Sequence, residues 1–91
     1  MYSITNYTKE QAKRLGVSVK PSTNPKKKID VFKNDIKIAS CGDIKYNDYP
    51  TYITKYGKEY ADNRRRLYKL RHNSDRKKEG TAGYYADNLL W

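Results

Sequence analysis

The sequence predicts a small α+β domain: a short N-terminal helix, a β-hairpin, and C-terminal helices packed on it. Three observations predict that class. A capped, stopped helical segment opens the chain, an alternating apolar run follows Ile29, and apolar residues recur at helical spacing from Tyr56 to Leu70. With 91 residues the chain is read as one domain, residues 1–91, whose helical C-terminal part covers 58–91.

Composition pulls two ways. Leu, Ile, Val and Phe number only fifteen beside a formal charge of +10, a balance that favours disorder. Ten tyrosines, Trp91 and Phe32 argue the opposite, because aromatic rings supply large buried areas with polar handles. The chain is therefore expected to fold around tyrosine. Its one cysteine, Cys41, allows no internal disulfide and no multi-cysteine metal site. Residues 1–15 carry no apolar run like a signal peptide, and no stretch is long enough to cross a bilayer. A soluble intracellular protein with no membrane partner is expected.

Taken in order, Thr8 can cap a helix that Gln11 supports and Gly16 stops. Residues 20–28 hold two prolines and a triple lysine, and read as a basic linker or loop. Ile29 to Cys41 reads as the hairpin, turning at Asn34-Asp35 and ending at Gly42. A ribbon of two strands is barely stable in water, so something must cover it. Asp48 caps a short helix with Pro50 in its first turn. Gly57 is either a break or a weak point before the basic helix. Thr81 caps a last helix from Ala82 to Leu90.

The basic helix is the centre of the functional reading. Residues 60–78 carry eight of the twenty Lys and Arg. At about 100° per residue, Tyr56, Tyr60, Leu67, Tyr68 and Leu70 share one side, and Lys58, Arg65, Arg66, Lys69 and His72 the other. Arg64 and Arg71, seven apart, fall among the apolar residues. They are read as internal staples needing a carboxylate, backbone carbonyls or an aromatic face, with Asp75, Asp87 and the Tyr rings as candidate partners. The aromatic end, Tyr84, Tyr85, Leu89, Leu90 and Trp91, is expected to dock over Tyr60, Leu67 and Leu70, with Trp91 closing the core.

The positive balance points to a polyanion, with nucleic acid as first candidate. Lys26, Lys27, Lys28, Lys58, Arg65, Arg66, Lys69, Arg76, Lys77 and Lys78 are the expected phosphate contacts, and interleaved tyrosines could stack on unpaired bases. No zinc finger, leucine zipper or RNA-recognition motif is present, so sequence-specific reading is not expected. An enzyme is not expected either. No phosphate-cradling glycine loop or nucleophile elbow occurs, and His72 with Asp75 is the one candidate acid–base pair. No metal and no cofactor are called for.

The segment Arg64-Arg65-Arg66 with Tyr68, Arg71-His72 and Asp75-Arg76, followed by Gly80 to Asp87 and Leu89-Leu90-Trp91, resembles a group of small, uncharacterised basic proteins of large DNA viruses of algae and protists. The resemblance covers roughly residues 60–91. It implies a viral protein made in an infected cell and packaged in the virion. Two functions fit that origin: a non-enzymatic nucleic-acid-binding protein, with DNA as first candidate, or a minor structural protein bound to an acidic capsid protein surface.

Overall fold

The structure is a computed structural model and describes residues 2–91. Its elements are α1 (Asn6–Leu15), β1 (Ser18–Pro21), β2 (Lys27–Lys33), β3 (Ile36–Asp43), α2 (Tyr49–Tyr56), α3 (Lys58–Arg71) and α4 (Ala82–Leu90). The expected α+β class and element order hold, but the ribbon has a third strand. β1 and β3 both pair antiparallel with the central β2.

Residues 20–28 are therefore not a linker. Lys20 and Pro21 belong to β1, Lys27 and Lys28 to β2, and only 22–26 turn between them. Proline is tolerated because β1 is an edge strand. Asp30 orders the turn, accepting from Ser22 Oγ at 2.6 Å and the Thr23 N–H at 3.2 Å. At the other end of β2, Asn34 and Asp35 take φ of 53° and 64°, the left-handed pair that a two-residue hairpin turn requires.

One face of the sheet carries the main core. Ile29, Val31 and Cys41 pack with Ala12 of α1 and Tyr85, Leu89 and Leu90 of α4. Thr8 lies fully buried in that contact and donates to the Leu89 carbonyl at 2.7 Å. This is why Thr8 is not the cap of α1. Thr5 takes that place, accepting from the Thr8 N–H at 3.2 Å, and Gly16 ends the helix at φ 70° as expected. Asp48 and Thr81 cap α2 and α4 as their spacing predicts.

A second core lies between α2 and α3, where Tyr49 and Tyr52 close over Ala61. Gly57, at φ 91°, is a true break that lets α3 pack on α2. Tyr49 Oη donates to Asp62 at 2.6 Å and fixes the pair. Trp91 packs against both cores.

The expected cover of α3 by the C-terminal tail does not form. Leu89 and Leu90 take the deeper apolar face of the sheet, and only Trp91 reaches α3, stacking on Tyr68 at 4.4 Å and 7°. Tyr60, Leu67 and Leu70 remain 46%, 37% and 65% exposed. On the sheet Leu89 and Leu90 are 0% and 1% exposed, and removing that apolar surface from water favours this docking.

Candidate nucleic-acid interface

The expected phosphate contacts separate once their surroundings are considered. Lys28 is buried, and its Nζ donates to the carbonyls of Asp43 and Tyr46. Burial lowers its pKa, against the pull of Asp48 and Asp43. It ties the end of the sheet to the following loop and is not free for a ligand. Lys69 is committed too, at 2.6 Å from Asp87, and Arg76 lies 3.9 Å from the same carboxylate while donating to the Lys69 carbonyl. Arg65 sits half-buried with its guanidinium carbon 4.7 Å from the Tyr49 ring centre. Lys58 pairs with Asp62 at 2.9 Å, but on an exposed surface where such a pair contributes little. Lys26, Lys27, Arg66, Lys77 and Lys78 are exposed, and none of them has a carboxylate within ion-pair distance among the described residues.

The staples also need correcting. Asp87 is one, holding Lys69 and Arg76 across the 72–81 turn, and Trp91 is another. Asp75 is not, since its side chain is 65% exposed and reaches only His72, at 3.7 Å. Arg71 is exposed without a carboxylate partner among the described residues. Arg64 is half-buried, 5.6 Å from the Tyr52 ring, so of the expected partners it meets an aromatic face and not an acid.

Arg64 and Arg71 line a cleft of about 650 Å³ between α3, the end of β3 with its following loop, and the start of α4. Their seven-residue spacing puts both on one side of the helix. Lys27 reaches the same cleft from the start of β2, and Lys78 from the turn after α3. The turn after α3 brings Lys78 to the cleft that Arg64 and Arg71 line, and the start of β2 adds Lys27 from a distant part of the sequence. Three carboxylates also line the cleft, Asp43, Asp48 and Asp75. Asp48 is occupied, capping Thr51 N–H at 3.0 Å and accepting from Tyr2 Oη. Asp43 accepts from the Lys45 N–H at 2.9 Å. Counting Lys28, cations outnumber carboxylates by five to three.

Aromatic rings make up much of the wall. Tyr52, Trp91 and Tyr68 stand in one column, with His72 4.5 Å from Tyr68. Burial, with Asp87 nearby, pushes the Tyr68 phenol up to about 12. Tyr46, on the facing loop, is 66% exposed. Cys41 also borders the cleft, but burial pushes its thiol up to about 12 and it is protonated at neutral pH. His72 ends α3 as its C-cap residue. No group of three or more His, Cys, Asp or Glu side chains placed to hold a metal occurs among the described residues.

Sequence reasoning found Lys27 and Lys78 and missed Arg64 and Arg71, because it assigned their side of the helix to the interior. The available signal was their spacing together with the reversal that returns Lys78 toward them. No protein-family model matches the chain, and no curated protein or solved structure matches it. No helix among the described residues is long and apolar enough to cross a membrane.

Proposed function

We propose that this protein binds nucleic acid without enzymatic action and without sequence choice, through the phosphate backbone, with DNA as the first candidate. One observation carries the reading: Lys27, Arg64, Arg71 and Lys78 converge on one cleft, and none of them is within ion-pair distance of a carboxylate among the described residues. Cations so placed displace condensed counterions from a polyanion, which gives affinity that is indifferent to sequence. The surplus charge of +10 adds long-range attraction. The resemblance of residues 60–91 to small viral proteins extends this reading to a DNA-associated protein of an infected cell, carried in the particle.

The test is binding of labelled DNA of several unrelated sequences to wild type and to a Lys27→Ala, Lys78→Ala variant. Both side chains are exposed, so the variant keeps the fold. The reading expects affinity to fall by a similar factor on every sequence, and the salt slope to drop by about two. Equal affinity of variant and wild type refutes it.

A second reading has its own support. Tyr56, Tyr60, Leu67 and Leu70 are exposed apolar residues on α2 and α3, and Ile36 and Ile38 lie exposed on an edge strand. Surfaces of this kind suit a minor structural protein seated between capsid subunits. Failure to bind DNA at about 50 mM salt, where phosphate contacts are strong, together with capsid-protein binding that a Leu67→Ala, Leu70→Ala variant loses, would favour it.

A further inference from the structure

We propose that the cleft takes unpaired nucleotides: a stretch of single-stranded nucleic acid whose phosphates lie on Arg71, Lys78 and Lys27 and whose base lies against Tyr46. This deepens the nucleic-acid reading above and rests on it. Tyr46 is the observation that charge alone does not explain. Its ring is 66% exposed and borders the cleft, and it pairs with no other aromatic ring among the described residues.

The backbone beneath that ring is anchored, because the Tyr46 carbonyl accepts from the buried Lys28 Nζ and its N–H donates to the Asp43 carbonyl at 3.2 Å. The loop after β3 therefore holds an exposed aromatic ring on an anchored backbone, in the same cleft as Lys27, Arg71 and Lys78. A polyanion with flat unpaired bases uses both features, whereas an acidic peptide uses only the charges. The size of the cleft, about 650 Å³, is that of a pocket for a small ligand. A duplex keeps its base faces stacked inside and meets only the rim. Base stacking on an aromatic ring is tolerant of sequence, in keeping with the absence of sequence choice.

Trp91 is the chain's one tryptophan and borders the cleft, so its emission reports occupancy directly. The experiment titrates the full chain with an oligothymidylate, a duplex of equal length and thymidine monophosphate, following Trp91 emission and, with labelled DNA, anisotropy. The oligothymidylate is expected to change Trp91 emission to saturation. Tyr46→Ala is expected to weaken that binding about tenfold, as loss of one stacked base does, while Tyr46→Phe keeps it. Arg71→Ala is expected to weaken it several-fold, and Lys9→Ala, on the far helix α1, by less than twofold.

Binding of the oligothymidylate with unchanged Trp91 emission and no effect of Tyr46→Ala or Arg71→Ala would place the contact elsewhere. That result overturns the cleft assignment and leaves nucleic-acid binding standing. Equal affinity for the oligomer and thymidine monophosphate would make the cleft a free-nucleotide site, which overturns the strand assignment. Absence of binding to single strand and duplex alike removes both readings.

Discussion

Burial alone would raise the Asp30 carboxyl, which is 2% exposed on the central strand. Hydrogen bonds from Ser22 Oγ, Ser40 Oγ and the Thr23 N–H, with Lys37 Nζ 3.8 Å away, outweigh that penalty and hold it at about 2. Its folded value lies below the unfolded value of about 3.9. The stabilisation is therefore present above about pH 4 and is lost as pH falls toward the folded value. Acid unfolding of the wild type should steepen between about pH 4 and 2, and Asp30→Asn should show a flatter profile there. At neutral pH, Asp30→Ala should cost about 3 kcal/mol in urea unfolding, because it strands donors at Ser22, Ser40 and Thr23. A profile unchanged by Asp30→Asn would contradict this. Gly42 is a second residue fixed by its surroundings. It has φ 80°, and an added Cβ would stand 2.6 Å from Leu90 Cδ1. Gly42→Ala should destabilise by about 2 kcal/mol, from backbone strain and overpacking together, visible as a lowered urea midpoint.

Elements were legible in the sequence where the deciding signal is local. Gly16, Asp48 and Thr81 mark helix ends by capping chemistry that needs no partner from elsewhere, and Asn34-Asp35 marks its turn in the same way. β1 was not legible. Its four residues include Lys20 and Pro21, and only pairing with Ile29 to Phe32 makes them a strand. The tail shows the same limit. Periodicity reveals that Leu89, Leu90 and Trp91 must be covered, but not that the sheet outcompetes α3 for the leucines. Among the described residues, Trp91 is the one side chain that packs against both the core on the sheet and the core between α2 and α3. Trp91→Ala should therefore lower stability by about 3 kcal/mol and loosen the helical pair first. Hydrogen exchange should show protection lost at α2 and α3 before β2. Uniform loss across both would contradict a bridging function for this side chain.

For the whole molecule, total charge was readable at once and its placement was not. Ten basic residues looked equivalent along the chain, yet folding buries Lys28, ties Lys69 and Arg76 to Asp87, and lays Arg65 on Tyr49. Folding also turns Arg64 and Arg71 toward a shared cleft with Lys27 and Lys78. A helical wheel could not foresee this, because it assigns one partner to each side of a helix, and here the side bearing the arginines meets Tyr52 and open cleft together. The central claim is that these four cations are left for phosphates. The most direct measurement is the affinity for DNA as salt rises from about 50 to 200 mM, where four phosphate contacts on duplex predict a slope of log K on log salt of about −3.6, and the three assigned to a single strand predict about −2.1. A slope near zero on both, or no binding at the lowest salt, would contradict it.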